Sequence, residues 1–186
     1  LGLQFAAAMG CEVTAISSTP DKEAEARGFG AHHFLATREP KALRSVASSL
    51  DFILSTVFAT PEWDALLGAL RPNGVLCLVG ATSEPLSVQA FTLLGAQKTV
   101  TGSAIGGRPA IREMLAFAAR HGVAAKTQVR PLAEADAALG EVRKGRARYP
   151  MVVCVHAMSM SLGDALQLAL PALDALASRC RQTTDA

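Results

Sequence analysis

Three hydroxyl side chains stand in a row at Ser17-Ser18-Thr19, followed by Pro20 and, about one turn further on, by Lys22. Hydroxyls, free backbone N–H groups at a helix start and one ammonium make a donor set suited to a phosphate. The same residue types also describe ordinary helix capping by Ser18 or Thr19, with Pro20 at the first helical position. Spacing alone leaves both readings open. Small, hydroxylated or backbone-exposing residues recur after other short apolar runs, at Thr56-Val57, Gly80-Ala81 and Ser103-Ala104-Ile105-Gly106-Gly107. They suit a flat cofactor lying against backbone, and no catalytic dyad stands among them.

The remaining polar residues offer less. Glu23, Glu25, Glu62, Asp64, Glu113, Glu134 and Asp136 fall on expected helices beside polar neighbours, the pattern of solvated faces. The pair His32-His33 has no cysteine or carboxylate at ligand spacing, so no metal site is expected there. Trp63 and Tyr149 read as packing residues for the same lack of partners. Cys11, Cys77, Cys154 and Cys180 are far apart and form no C-x-x-C pair, which fits thiols in a reducing, cytoplasmic compartment. No catalytic or metal-ligating residue is assigned.

The elements that must position these residues alternate. Leu1 to Met9 reads as a helix ended by Gly10, Cys11 to Ile16 as a strand, and Pro20 to Phe29 as a helix stopped by Gly30. A brief strand at His33 to Leu35 precedes a helix over Pro40 to Ser49. Asp51 to Thr56 is a continuous apolar run, the mark of a strand covered on both faces. A helix over Pro61 to Leu70 closes on the turn signal Arg71-Pro72-Asn73-Gly74, and Val75 to Val79 is another apolar strand. Helices near Val88 to Gly95, Pro109 to His121 and Glu134 to Lys144 alternate with strands at Thr99 to Gly102, Thr127 to Arg130 and Met151 to Val155. Such alternation calls for βαβ units and a doubly wound parallel sheet, an α/β fold that binds ligands at the carboxyl ends of its strands.

Composition sets the outer bounds. The 186 residues are 50% apolar and 18% charged, with a formal charge of +2. That balance excludes a disordered chain and a nucleic-acid binder working by phosphate neutralisation. The most apolar stretch, Met151 to Leu173, carries His156, Asp164, Gln167 and Pro171, so no membrane span is expected. Beyond about Ala157, Leu162, Leu166, Ala169, Leu173 and Leu176 recur at helical spacing, with Pro171 interrupting. Leu1 already reads as part of a helix, so the fold is expected to start ahead of it.

Several of these strings together resemble the zinc-dependent medium-chain alcohol dehydrogenases, in particular the NADP-preferring cinnamyl alcohol dehydrogenase-like group. They are Cys11 to Lys22, Asp51 to Val57, Leu70 to Leu76, Thr101 to Gly106 and Ala147-Arg148-Tyr149. The likeness covers about residues 1 to 155 and leaves out the tail from Ala157 to Ala186. It implies that Ser17, Ser18, Thr19 and Lys22 surround the 2′-phosphate of NADP(H). It further implies that Thr56 and Val57 line the cofactor cleft, and that Gly80, Ala81, Ser103, Ala104 and Ile105 pass near the nicotinamide. Thr99 to Gly102 matches the edge strand through which members of the group pair into homodimers.

Departures accompany the resemblance. The family's glycine-rich pyrophosphate turn, the strand before it and the zinc-ligand domain would all lie ahead of Leu1. Where the family has Arg-Tyr-Arg, this sequence has Arg148-Tyr149-Pro150. The resulting expectation is an incomplete Rossmann-like domain over 1–156, of which 127–156 leads back toward a catalytic domain, plus a helical tail over 157–186. Its role would be the cofactor-binding fragment of an NADPH-dependent alcohol dehydrogenase, with zinc and the alcohol or aldehyde substrate belonging to the intact parent, and it would be inactive alone. The alternative is a non-catalytic remnant that dimerises or packs with another subunit. A methyltransferase is a weaker third reading, since adenosylmethionine sites usually want an acid where Ser17 stands.

Overall fold

Short apolar runs punctuated by glycine do form alternating strands and helices. The computed structural model describes residues 1–38, 41–82, 84–144, 146 and 149–154, to which the structural statements refer. It divides into two units, Leu1–Ala125 and one that starts at Lys126. The first unit runs α1 (Gly2–Ala8), β1 (Thr14–Ser17), a 3₁₀ turn (Pro20–Lys22), α2 (Glu23–Gly28), β2 (His33–Ala36) and a second 3₁₀ segment (Ala42–Val46). It continues with β3 (Leu50–Ser55), α3 (Trp63–Ala69), β4 (Leu70–Leu78), α4 (Ala90–Leu94), β5 (Thr99–Gly102) and α5 (Arg108–His121). The second holds β6 (Gln128–Pro131), a 3₁₀ turn (Leu132–Glu134), α6 (Ala135–Arg143) and β7 (Met151–Cys154). The expected tail over 157–186 lies outside the described residues.

All strand pairs are parallel: β1 with β2, β4 with β3 and β5 on its two sides, and β6 with β7. The core of the first unit lies on one face of β3–β4–β5. There Ile53 and Leu76 meet Trp63, Leu66, Leu67, Ala69 and Leu70, with Leu67, Leu70 and Leu76 wholly buried. Trp63 is a packing residue, 5% exposed.

Within the first unit the expected single sheet is present as two groups, for among the described residues no backbone hydrogen bond joins β1 to β3. Side chains join them instead, on both faces. Leu3 of α1 packs on the cluster of Ala15, Ala26 and Ala31, while Gly2 of the same helix lies against Leu54 of β3. On the opposite face Ile16 of β1 packs on the cluster that contains Ile53.

Three local expectations need correction. The strand expected to be covered on both faces is covered on one, since Ile53 and Ser55 are buried whereas Phe52 and Leu54 are 55% and 42% exposed. Arg71-Pro72-Asn73-Gly74 does not end an element but lies inside β4. The register shift between Leu50 and Phe52, with Asn73 at φ 63°, absorbs the extra residues as a bulge, and Arg71 pairs with Asp51. The helix expected over Pro40 to Ser49 is a five-residue 3₁₀ segment, which the β-branched and hydroxylated composition around Ser45 and Val46 favours over a longer α-helix.

Two anchors hold the ends of the first unit. The amide of Gln4 donates to Ala124 O and accepts from Ala124 N, both at 3.1 Å. Next to it Phe5, Phe117 and His121 stack in series, so the end of α5 is fixed to α1. Gly122 takes the left-handed conformation, φ 66°, and closes α5 as expected of a glycine there.

The histidine pair has structural partners. His33 Nε2 lies 2.8 Å from Glu12 Oε1, and the hydrogen bond and charge of His33 hold the Glu12 carboxyl below its ordinary value. His32 accepts the Val13 N–H at Nδ1 (3.0 Å) while its own N–H donates to Val13 O (2.8 Å). This two-way bond ties the starts of β1 and β2 and requires an unprotonated Nδ1. His32→Ala strands the Val13 donor, and urea unfolding should show a loss of about 1–2 kcal/mol.

Candidate functional site

In parallel sheets the loops after the strands collect at one end, and the residues singled out by sequence sit there. Ser55 is the last residue of β3, and its carbonyl accepts from both Val79 N (3.0 Å) and Gly80 N (3.1 Å) just past β4. Ser103 N, just past β5, donates to Leu78 O at 3.0 Å. Thus Thr56-Val57, Gly80-Ala81 and Ser103-Ala104-Ile105 leave the same end of one three-stranded sheet.

Gly80 is where the first two of these segments converge. A Cβ placed on it would stand 2.5 Å from Val57 O and 2.7 Å from the Thr56 carbonyl carbon. Only a residue without a side chain lets the two strand ends lie this close. The rim around them is apolar and open: Val57 is 44% exposed, Val79 47%, Phe58 74% and Ile105 93%. Phe58 and Val79 stand directly beside the candidate segments Thr56-Val57 and Gly80-Ala81, and nothing in their residue type marks them as part of a site.

The hydroxyl run sits at the end of β1. The capping reading does not hold: Thr19 is the residue before the 3₁₀ turn, yet neither it nor Ser18 makes a side-chain cap. The one hydroxyl used locally is Ser17 Oγ, which accepts Thr19 N at 3.4 Å. Thr37, just past β2, bonds the same corner, its N–H and hydroxyl both donating to Ser17 O at 2.8 and 3.3 Å. Among the described residues the side chains of Ser18, Thr19 and Lys22 have no hydrogen bond or ion pair. These donors, two hydroxyls and an ammonium, therefore remain available to a ligand.

This donor set and the glycine cradle fit a phosphate-bearing dinucleotide. They do not fit a metal: among the described residues no group of three or more His, Cys, Asp or Glu could hold one. Cys77 is buried, Cys11 and Cys154 are exposed, and all three are free thiols. In the second unit Tyr149 lies under Lys126, whose Nζ is 4.6 Å from the ring centroid. Arg148 falls outside the described residues.

Comparison with known proteins gives concordant matches. The profile of the family described as Zinc-binding dehydrogenase matches residues 1–120. The chain is 35% identical over 153 residues to the aldehyde reductase AdhA of Synechocystis sp., covering 82% of this chain and 46% of that protein. Among solved structures it resembles the cinnamyl alcohol dehydrogenase SbCAD4 of Sorghum bicolor, with 36% identity and a TM-score of 0.78. That match covers 86% of this chain and 45% of the other. It also resembles the cinnamyl alcohol dehydrogenase of Helicobacter pylori in complex with NADP(H), with 26% identity and a TM-score of 0.68 over 81% of this chain and 43% of that one. The chain thus spans under half the length of the relatives it matches.

The crowding at Gly80 gives a direct test. Gly80→Ala forces the ends of β3 and β4 apart at a contact made by backbone on both sides. The variant should be destabilised by about 1–3 kcal/mol in denaturant unfolding, the usual cost of overpacking a tight site, whereas Ala81→Ser beside it should be neutral.

Proposed function

The chain belongs to the zinc-binding dehydrogenase family, and we propose that it is the NADP(H)-binding half of an alcohol dehydrogenase or aldehyde reductase. In the whole enzyme hydride would pass between nicotinamide and an alcohol–aldehyde pair. The observation that carries the reading is the unpartnered group at the end of β1, Ser18, Thr19 and Lys22, in a chain whose relatives include an NADP(H) complex. An acid at the end of this strand would accept from a free ribose 2′-hydroxyl and repel a 2′-phosphate. Ser17-Ser18-Thr19 instead offers donors without negative charge.

Assigned in this way, Ser17, Ser18, Thr19 and Lys22 hold the 2′-phosphate. Thr56 and Val57 flank the cofactor cleft, and Gly80, Ala81, Ser103, Ala104 and Ile105 lie toward the nicotinamide. Zinc belongs to the family's chemistry, but the described residues supply no ligand set for it. Hydride transfer is therefore assigned to the whole enzyme and not to these residues. Segment 1–156 acts as the dinucleotide-binding part, with 127–156 leading toward the catalytic part. The three free thiols support placement in a reducing cytoplasm, and among the described residues no helix is long and apolar enough to cross a membrane.

The outer edge of β5 supports a homodimer. Ser103 N points to β4, so alternation turns Thr101 N and Thr99 N the same way and leaves Val100 N and Gly102 N facing outward. Gly102→Pro removes one outward donor without touching the bonds to β4. In sedimentation velocity the parent chain should run as a dimer and Gly102→Pro as a monomer.

Calorimetric titration of the 186-residue chain tests the cofactor reading. NADPH should bind at micromolar strength and NADH at least tenfold more weakly. Lys22→Ala should cost about tenfold for NADPH, or about 1.4 kcal/mol, and leave NADH unchanged. No heat with NADPH would sink the reading, and would favour the alternative of a non-catalytic interaction module.

A further inference from the structure

Beyond the three residues of the hydroxyl run and Lys22, we propose that Arg38 is a specificity-determining residue that clamps the ribose 2′-phosphate together with Lys22. The inference rests on the NADP(H) reading of the site and adds to it a residue that neither the strand ends nor the hydroxyl motif pointed to.

The placement follows from the register of the first two strands. Ser17 and Ala36 are paired as the last residues of β1 and β2. The next residue, Thr37, is fastened to this corner by two hydrogen bonds to Ser17 O. Arg38 comes directly after that fastened residue, so its backbone is held beside the start of the Ser17-Ser18-Thr19 run. It is exposed, and it makes no ion pair or hydrogen bond among the described residues. By contrast Arg27, Arg71, Arg130 and Arg146 are each committed to a carboxylate.

Chemistry favours a second cation here. A phosphate monoester near neutral pH carries more than one negative charge, and a single exposed ammonium is a strongly hydrated point charge. A guanidinium offers a planar pair of N–H donors that meets two phosphate oxygens at once. Lys22, in the turn after β1, and Arg38, just past β2, would then act on the same phosphate from two different loops. Because a 2′-hydroxyl carries no charge, the guanidinium would contribute to binding the 2′-phosphate and little to binding the rest of the adenosine. This makes Arg38 a selector between the two dinucleotides.

The probes are 2′,5′-ADP and 5′-AMP, which differ by the 2′-phosphate and do not require the pyrophosphate or nicotinamide contacts. Each is titrated calorimetrically into the full chain and into Arg38→Ala, Arg38→Lys and Lys22→Ala, with circular dichroism confirming the fold. The parent chain should prefer 2′,5′-ADP. Arg38→Ala should lose about tenfold for 2′,5′-ADP with 5′-AMP unchanged, Arg38→Lys should recover part of the loss, and the salt dependence of 2′,5′-ADP binding should flatten. If Lys22→Ala weakens 2′,5′-ADP and Arg38→Ala does not, the phosphate site stands and the role of Arg38 is overturned. If the parent chain binds 2′,5′-ADP no better than 5′-AMP, the phosphate site itself fails and Arg38 with it.

Discussion

The first unit depends on a layer of strands that side chains, and not backbone, hold together at one place. β1 and β3 share no hydrogen bond, yet both of their faces are bridged: Leu3 and Gly2 of α1 reach Ala15 and Leu54 on one side, and Ile16 reaches the Ile53 cluster on the other. Everything proposed for the site needs the ends of these strands to stay in place. The hydroxyl run belongs to β1, whereas the glycine cradle belongs to β3 and β4. A contact made of small residues tolerates little change, because Ala15, Ala26, Ala31 and Gly2 have no side-chain freedom with which to refill a gap.

Given that layer, the two parts of the proposed site would achieve selectivity by different physics. At Gly80 the determinant is steric: two backbones approach so closely that a methyl group has no room, and the resulting smooth apolar rim suits an aromatic or flat ligand. At the end of β1 the determinant is electrostatic. Donors and cations are exposed there, so each contact is individually weak and sensitive to salt. Affinity for a charged group must then come from several donors acting on one ligand atom group, which is why a corner built from two adjacent strands matters more than any one residue on it.

The periodic parts of this fold were legible in the sequence. The strand Thr99–Gly102 and the helix from Arg108 to His121 with Gly122 at its end follow from β-branched composition and amphipathic spacing. The strand-end rule was enough to find Thr56, Gly80 and Ser103, since it needs the order of elements and not their packing. What escaped was tertiary. The signal Arg71-Pro72-Asn73-Gly74 reads as the end of an element, yet the pairing of β3 with Leu70 before it and Val75 after it keeps it within β4 as a bulge, where Arg71 meets Asp51. Phe52 and Leu54 look like core in a sequence window, and only their neighbours reveal one uncovered face. Arg38 has no motif at all; the pairing of β2 with β1 and the bonds of Thr37 to Ser17 O bring its backbone beside the end of β1.

The division of labour between this chain and the rest of its relatives' length follows from where each kind of discrimination resides. Choosing between cofactors that differ at the ribose 2′ position needs charge at the end of β1, and Ser17 to Lys22 with Arg38 lie wholly within the first unit. Choosing an alcohol needs groups that meet the substrate and an electrophile for its oxygen, and the described residues hold neither a metal ligand set nor an acid–base pair at the strand ends. On the proposed reading, cofactor preference would reside in this chain's own residues, through contacts that do not depend on catalysis. On the same reading substrate preference would belong to the rest of the enzyme, and the exposed apolar residues Val57, Phe58, Val79 and Ile105 offer contact area without groups that could choose an alcohol.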